Sequence, residues 1–321
     1  MSEPAHAPRK LAIIAAFAAL YLIWGSTYLG ILLAIQSIPP LLMAGARFTC
    51  AGVIMYGIAR WQGSTKSSLA EWRTAFVVGG CLLLLGNGSV TIAEQWVASG
   101  LASLLVATVP IYIALLAWLS GSAPRPGPLV MLGLAGGFVG VGILVGPALA
   151  GSLGGSGKHV GLGMLVLLLG SLGWSIGSLY SRHARTSAPP FLSSAQTMLC
   201  GGALMIIAGL MSGEARDLHL EKITALSLGA FVYLVLIGAV VGYTAYIWLL
   251  RHCDPAKVAT YAYVNPVVAV LLGALFAGEA LTGRTAVAAV IIIGSVALVI
   301  TAGQMKRKNV ATPATAVAQV R

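Results

Sequence analysis

Long runs of apolar residues, separated by short polar segments, dominate the pattern along the chain. Each run has about the length that an α-helix needs to cross the roughly 30 Å hydrocarbon core of a bilayer. The runs are continuously apolar rather than alternating, which favours helices over the strands of a membrane β-barrel. Ten runs are predicted, at residues 11–34, 41–60, 74–93, 97–119, 128–148, 161–181, 190–211, 225–249, 257–277 and 284–303. The pattern predicts an all-α polytopic membrane protein with ten transmembrane helices.

The composition excludes a soluble globular domain. Of the 321 residues, 58% are hydrophobic and only 8% are charged, whereas a soluble domain has about 25% charged residues. The net charge is +11, but the chain has no basic patch with interleaved aromatic residues of the kind that binds nucleic acid. We therefore expect the lipid bilayer, and no nucleic acid, as a partner. The four cysteines show no metal-ligand spacing, and we expect neither a metal nor a cofactor.

The basic residues predict the orientation of the chain. If both termini are cytoplasmic, fourteen of the nineteen Lys and Arg residues fall in cytoplasmic segments and four fall in external loops. Arg47, inside the second span, is the remaining one. Such an excess is the positive-inside bias of membrane proteins. The first run is too long for the core of a cleaved signal peptide, so we predict a multi-pass protein of the plasma (inner) membrane with a retained first span.

The two halves of the chain resemble each other. The stretch LYLIWGSTYLG (20–30) is similar to GSLGWSIGSLY (170–180), and GLASLLVATVPIYIALL (100–116) is similar to AKVATYAYVNPVVAVLL (256–272). Further equivalent pairs are Pro39 with Pro189, Cys50 with Cys200, Gly86 with Gly242, and Pro110 with Pro266. We assign residues 1–150 to a first repeat, 151–310 to a second repeat, and 311–321 to a cytoplasmic tail.

Each repeat has five spans, and this odd number means that the second repeat enters the membrane upside down. The loop charges agree with this interpretation. The loop after span 2 is basic, whereas its counterpart after span 7, with Glu214, Asp217 and Glu221, is acidic. Inverted-topology repeats are typical of secondary transporters, whose substrate site lies between the halves near the midplane.

Aromatic and amide side chains within the spans are candidates for substrate binding. Trp24 and Trp174 are mid-span and equivalent in the two repeats. Such a pair either packs against neighbouring helices or lines a cavity between the repeats. An amide that faces lipid is costly, which favours an inward position for Asn265. Asn87 either bonds a neighbouring helix or shares a cavity position with Tyr243, its equivalent in the repeat. The remaining candidates in this class are Tyr28, Asn87, Thr108, Tyr180, Tyr243, Tyr261, Tyr263 and Asn265.

Two prolines and two acidic residues are candidates for coupling or gating. Pro110 and Pro266 each remove a helical hydrogen bond, which produces either a static kink or a hinge that faces protein or water. Glu94 and Glu279 lie near the external ends of spans 3 and 9. Because no Asp, Glu or His lies deep in a span, the sequence lends little support to a proton relay.

Arg47 has two interpretations. Its stem can extend outward to the headgroups, or its guanidinium can turn inward toward polar groups such as Glu94. An intramembrane charge is a functional candidate by default. Aromatic and amide groups beside one positive charge favour neutral, zwitterionic or anionic substrates over simple cations.

Other function classes find little support in the sequence. GGSGKH (154–159) approximates a phosphate loop, but Ser152 and His159 occupy positions that need Gly and Ser or Thr. The spans contain neither an HExxH motif nor paired Asp residues, so we expect no catalytic residues and no enzyme. The favoured interpretation is a secondary transporter that exports small metabolites, amino-acid-like or related compounds, by alternating access. A broad-specificity drug exporter is the alternative, with a channel or lipid scramblase behind it.

Several stretches together resemble the EamA family of the drug/metabolite transporter superfamily, and within it the YedA-like branch. They are LYLIWGSTYLG, PPLLMAGARF, GNGSVTIAEQ, SGLASLLVATVP and TYAYVNPVVAVLLGALFAGEALT. The resemblance covers about residues 11–303. It implies ten helices in two inverted bundles, both termini inside, and a central cavity used to export small molecules. The chain departs from the family pattern after span 4, where GSAPRPG lacks the acid that Glu279 provides after span 9.

Overall fold

The regular structure follows the apolar runs of the sequence. The computed structural model describes residues 10–64, 67–153, 158–184, 188–253, 258 and 260–317. Its helices are α1 (Lys10–Ala34), α2 (Pro40–Trp61), α3 (Leu69–Ala93), α4 (Ser99–Leu119), α5 (Pro128–Leu153), α6 (Lys158–His183), α7 (Pro190–Met211), α8 (Ala225–Leu250), α9 (Tyr261–Phe276) and α10 (Gly283–Val317). The all-helical class is confirmed for these ranges. The predicted repeat boundary at 150/151 lies at the end of α5, and residues 154–157 of the linker lie outside the described ranges.

Length and apolar composition fit most of these helices to a membrane. Within the described ranges, eight helices are long and apolar enough to cross a bilayer. Two shorter apolar stretches, Pro128–Ile143 of α5 and Tyr261–Phe276 of α9, complete the set. Large apolar side chains such as Leu132 and Val290 are exposed on the outside of the bundle. Because soluble proteins rarely expose wide apolar surfaces, this exterior is suited to lipid hydrocarbon.

The equivalent helices α2 and α7 pack against each other through small residues. A methyl group at Gly202 would lie 2.9 Å from the backbone oxygen of Gly45, and one at Gly52 would lie 3.1 Å from that of Ala195. The repeat offset relates these two contacts, since Gly52 corresponds to Gly202 and Gly45 to Ala195. Small residues permit such close approach of helix backbones in membranes. The pair therefore joins the two repeats at equivalent surfaces.

The equivalent helices α5 and α10 pack by the same rule at another place in the bundle. A methyl group at Gly133 would lie 2.8 Å from Cγ2 of Val299, and one at Gly140 would lie 2.7 Å from Cγ1 of Ile292. The glycines of α5 thus provide a groove for the branched side chains of α10. These glycines of α5 therefore serve close packing between helices.

Irregular turns interrupt the central helices. A π-helical segment occupies Gly80–Asn87 in α3, and another occupies Leu234–Val241 in α8. These segments overlap under the repeat offset, and π-turns inside α-helices are frequent at functional sites. Helix α4 is interrupted at Thr108, just before Pro110, whereas α9 continues through Pro266. The two prolines are therefore not equivalent in their effect on the backbone.

The helix ends form two faces of the bundle. One end, which we call the acidic face, gathers the segments 34–40, 93–100, 211–225 and 276–283. There the backbone N–H of Thr224 donates to Oγ of Ser37 at 3.1 Å, which joins the end of α1 to the start of α8. A groove of about 520 Å³ lies on this face, between the end of α1 and the loop that carries Glu214. The opposite end, which we call the basic face, includes Trp61, Leu69, Leu119, Pro128, Arg182, Pro190, Leu250 and Tyr261.

Candidate substrate site

Trp24 and Trp174 pack against equivalent glycines in opposite repeats. A methyl group at Gly242 would lie 2.6 Å from Nε1 of Trp24, and one at Gly86 would lie 2.7 Å from Cε3 of Trp174. Gly86 and Gly242 are equivalent positions of the repeat. Each tryptophan therefore contacts the matching glycine of the other half, so the packing reproduces the sequence match. Only residues without a Cβ leave room for an indole at these two positions.

The ring of Trp24 and three tyrosine rings form an aromatic cluster where α1, α8 and α9 meet. The centroid of Trp24 lies 5.0 Å from that of Tyr261, 5.2 Å from that of Tyr246 and 5.3 Å from that of Tyr243. Ring pairs at these distances contribute about 0.5–1.5 kcal/mol each beyond their buried area. The sequence prediction omitted Tyr246. Its position three residues after Tyr243 places both on one face of α8, and that spacing is the signal that would have found it.

Asn265 brings an amide into the interior of the bundle, as expected. The residue is buried, and its Oδ1 has no hydrogen-bond partner. Its backbone oxygen faces α1, because a methyl group at Gly25 would lie 3.2 Å from it. Gly25 follows Trp24 directly, so the backbone beside Pro266 packs next to the aromatic cluster. Tyr263 is half-buried on the same helix.

Arg47 points into the bundle. Only 4% of the residue is exposed. Its side chain therefore does not extend along the surface toward the lipid headgroups. The Cζ atom lies 4.6 Å from the centroid of the Phe48 ring. Nη2 would lie 3.7 Å from a methyl group at Gly238, in the π-helical segment of α8. The Nε and Nη1 atoms are buried without a hydrogen-bond partner, which leaves a buried cation with free donors.

Glu94 is a buried carboxyl group in the same region. It follows α3 directly, it is 3% exposed, and both of its carboxylate oxygens are buried without a hydrogen-bond partner. It interacts electrostatically with Arg47 and with Tyr28. No ion pair within 4.0 Å connects Glu94 to Arg47. A guanidinium group and a carboxyl group are thus both buried, and they make no direct contact with each other.

Two other carboxylates tie the repeats together at the acidic face. Glu279 accepts hydrogen bonds from the backbone N–H groups of Ser99 and Gly100, at 2.6 and 2.9 Å. Glu214 accepts hydrogen bonds from the second and third residues of α2, at 3.1 and 2.9 Å. The first N–H groups of a helix have no partner within it and favour negative charge. The sequence analysis did not include Glu214 among the candidates for coupling or gating. Glu214 nevertheless lies three residues after the end of α7, just as Glu279 lies three residues after the end of α9.

Several predicted site residues lie apart from the aromatic cluster. Tyr180 is 43% exposed, and Oγ1 of Thr108 donates to the carbonyl of Leu105 in its own helix. Trp174 makes no ring contact with the cluster within the described ranges. Asn87 is half-buried at the end of the π-helical segment of α3. The structure therefore brings together Trp24, Tyr243 and Tyr261 but not Tyr180 or Thr108.

The described part of the chain shows no cluster of metal-ligating side chains. The cysteines there are free, and no group of three or more His, Cys, Asp or Glu side chains among the described residues could hold a metal. Most of the GGSGKH stretch, residues 154–157, lies outside the described ranges.

Comparison with known proteins identifies the family. The sequence matches the EamA-like transporter family twice, over residues 10–146 and again over residues 161–301. The chain belongs to this family. The inner membrane transporter YedA of Escherichia coli strain K12 is 39% identical over 295 residues, which cover 90% of each chain. This identity places the chain in the YedA-like branch of the EamA-like transporters, as the sequence motifs predicted.

More distant EamA-like relatives cover the chain almost as completely. The transporter YvbV of Bacillus subtilis is 23% identical and covers 93% of this chain and 94% of its own. A probable amino-acid metabolite efflux pump of Escherichia coli strain K12 is 24% identical, covering 84% of this chain and 89% of its own. A solved crystal structure with 22% identity covers 91% of this chain and 98% of that chain at a TM-score of 0.60. The similarity to this crystal structure shows the fold alone.

Proposed function

We propose that this EamA-like protein is a secondary transporter of the inner membrane that exports small metabolites by alternating access. The reciprocal packing of Trp24 on Gly242 and of Trp174 on Gly86 carries the proposal. It relates the two halves by contacts that cross between them, and transporters built from inverted repeats bind substrate at such an interface. The names of the relatives support transport, and one of them is named an efflux pump.

The substrate site in this proposal lies where the aromatic cluster approaches Arg47. Tyr243 links the two groups, since its ring contacts Trp24 and it is among the residues within electrostatic range of Arg47. The rings offer flat apolar surfaces, Asn265 offers an unpartnered amide oxygen, and Arg47 offers unpartnered donors. This combination suits small metabolites that are neutral, zwitterionic or anionic.

An asymmetry between the two faces supports alternating access. At the acidic face, Glu214 and Glu279 cap α2 and α4 and thereby hold the second repeat against the first. The repeat offsets place Ser64 and Ala123 at the corresponding positions of the basic face, and residues 60–68 and 120–127 contain no acidic residue. Carboxylate caps thus join the two repeats at the acidic face, and the equivalent positions of the basic face, Ser64 and Ala123, carry no carboxylate. We assign this arrangement to a state that is closed at the acidic face, which the distribution of basic residues makes the external face.

A counterflow assay tests the proposed function. The purified protein is reconstituted into proteoliposomes loaded with an unlabelled bacterial metabolite extract, and uptake of labelled metabolites is measured. We expect saturable uptake of a few compounds that depends on the internal extract, with empty liposomes as the control. Flux that rises linearly with concentration would indicate a channel. Equilibration of labelled lipids without metabolite exchange would indicate a scramblase, and uptake of unrelated hydrophobic dyes would indicate a broad drug exporter.

A further inference from the structure

We propose that the basic face carries a binding site for one anionic phospholipid, in which Arg73 binds the phosphate group and an apolar groove holds an acyl chain. The site lies on the outside of the bundle beside α3, and none of its residues belongs to the aromatic cluster. The proposal therefore goes beyond the transport function and does not depend on which compound is transported.

A groove of about 360 Å³ forms the body of the site. The described residues that line it are Leu69, Trp72, Arg73, Phe76, Val77 and Cys200. The first four recur at the spacing of one helix face of α3, and Cys200 comes from the middle of α7. Leu69, Phe76 and Val77 are exposed apolar side chains. The groove therefore opens onto the exterior of the bundle that suits lipid hydrocarbon.

The length of the groove matches the depth of one leaflet. From Leu69 to Val77 the helix rises about 12 Å, and half of the hydrocarbon core is about 15 Å thick. A close contact between the helices lies just beyond the deep end, since a methyl group at Gly79 would lie 2.7 Å from the backbone nitrogen of Gly201. The groove thus runs from the basic face inward and ends where α3 meets α7.

Arg73 gives this groove its charge. It is exposed, and it is the charged member of the six lining residues. Among the described residues it takes part in no ion pair. Helical side chains lean toward the N-terminus of their helix, which for α3 is the basic face. The guanidinium of Arg73 can therefore reach back along the groove to the level of the headgroups.

The neighbours of Arg73 at the start of α3 are engaged in contacts of their own. Glu71, the nearest carboxylate along the chain, accepts a hydrogen bond from the backbone N–H of Ser68 at 2.9 Å, as part of the capping box of α3. The ring centroid of Trp72 lies 6.0 Å from that of Tyr56 in α2. Tryptophan is enriched at the level of the headgroups, and this ring contact fixes one wall of the groove.

These features favour an anionic headgroup over a zwitterionic one. A guanidinium presents paired N–H donors that match the oxygens of a phosphate. The groove offers no carboxylate among its described lining residues for the ammonium group of a zwitterionic lipid. Anionic lipids are a component of the cytoplasmic leaflet, and the distribution of basic residues assigns the basic face to that side.

A lipid titration followed by native mass spectrometry tests the proposal. The purified, delipidated protein is titrated with dioleoylphosphatidylglycerol and, separately, with dioleoylphosphatidylcholine, which has the same acyl chains and no net charge. We expect one phosphatidylglycerol to bind about fivefold more tightly than phosphatidylcholine. Arg73→Gln should bind the two lipids nearly equally. Arg60→Gln removes another exposed charge of the basic face, outside the groove, and should keep the wild-type preference.

A second pair of variants tests the place of the acyl chain. Val77→Trp fills the groove and leaves Arg73 in place, so it should weaken the binding of both lipids. Val53→Trp puts the same indole at an exposed position of α2 outside the groove and should bind both as the wild type does. A phosphatidylglycerol with a photoreactive group at the end of its acyl chain should cross-link to the peptides that contain Val77 and Cys200.

The opposite results overturn the proposal. Equal affinity of the wild-type protein for the two lipids would remove the anionic site, and equal losses in Arg60→Gln and Arg73→Gln would show a diffuse attraction to the basic face instead. Cross-links confined to other helices would move the lipid elsewhere. Cross-links from a second copy of the chain to these peptides, with no lipid retained, would make the groove an interface between copies. The wild-type preference and the cross-links decide the matter even if Val77→Trp fails to fold.

Discussion

At the scale of single residues, the tryptophans of this protein divide by environment. Trp24 and Trp174 contact glycines of the opposite repeat, and Trp24 also touches three tyrosine rings. Trp61, at the basic face, is 87% exposed and suits the aromatic belt at the membrane interface. Residues of one chemical type therefore have different expected roles, and position in the bundle decides which.

Replacement of the interior tryptophans should impair transport more than replacement of the peripheral ones. Trp24→Ala removes three ring contacts of about 0.5–1.5 kcal/mol each, which corresponds to roughly a tenfold or greater loss in counterflow. Trp174→Ala should act in the same direction. Trp61→Ala and Trp118→Ala serve as controls and should retain near wild-type counterflow, with protein levels measured by immunoblot. Equal effects of all four substitutions would remove Trp24 and Trp174 from the site.

At the scale of helices, the acidic face depends on caps that come from other elements. Helix α4 begins at Ser99 without a capping side chain of its own, and Glu279 supplies the acceptors from the loop after α9. Helix α2 begins after Pro39 and takes its acceptors from Glu214. A change at either carboxylate therefore acts on the contact between repeats rather than on one helix alone.

Loss of either cap should open the acidic face. A missing helix cap costs about 0.5–2 kcal/mol, which is about a twofold to thirtyfold change in a two-state equilibrium. The measurement is the labelling rate of a cysteine introduced at the buried Ile31, in a background without native cysteines, by a membrane-impermeant maleimide. Glu214→Gln and Glu279→Gln should label faster than the parent, and Glu221→Gln, at an exposed position, should not. Unchanged rates in both cap variants would contradict the role of these carboxylates in closing this face.

At the scale of the whole molecule, the two faces differ in charge and in construction. The acidic face carries Glu94, Glu214 and Glu279, whereas the segments at the basic face contain most of the Lys and Arg residues. Membrane insertion retains basic segments in the cytoplasm. This difference in charge therefore predicts that the basic face is cytoplasmic.

Labelling in intact cells should place the acidic face outside. Cysteines introduced at Asp217 and at Ser64 report the two faces, and only the first should react with an impermeant maleimide before the cells are lysed. A C-terminal tag should be accessible to antibody only after permeabilisation, and a tag within residues 151–159 should be accessible before it. An external C-terminus would refute the predicted orientation and the inverted-repeat assignment with it.

The helices and the relation between the halves could be predicted from the sequence because both are local properties. An apolar run must form a helix in lipid, where every backbone polar group needs an internal partner. The runs therefore predicted most helices to within a few residues, whereas α10 continues to Val317, well beyond its run of 284–303. Trp24 and Tyr243 were candidates because of span position and repeat equivalence, and Tyr261 because it lies near the mid-span Pro266. Arg47 and Glu94 were candidates because charges near lipid are rare.

The tertiary structure decided which of these residues meet. A helix such as α1 is apolar on every side, so its pattern does not show which face turns inward. The sequence could not show that Arg47 is buried, that Tyr180 is exposed, or that Tyr246 joins the cluster. Glu214 caps α2 by accepting a hydrogen bond from the N–H of Leu41, 173 residues earlier in the chain. Hydrophobic length determines that a segment becomes a helix, whereas the rotation and neighbours of that helix depend on packing between distant segments.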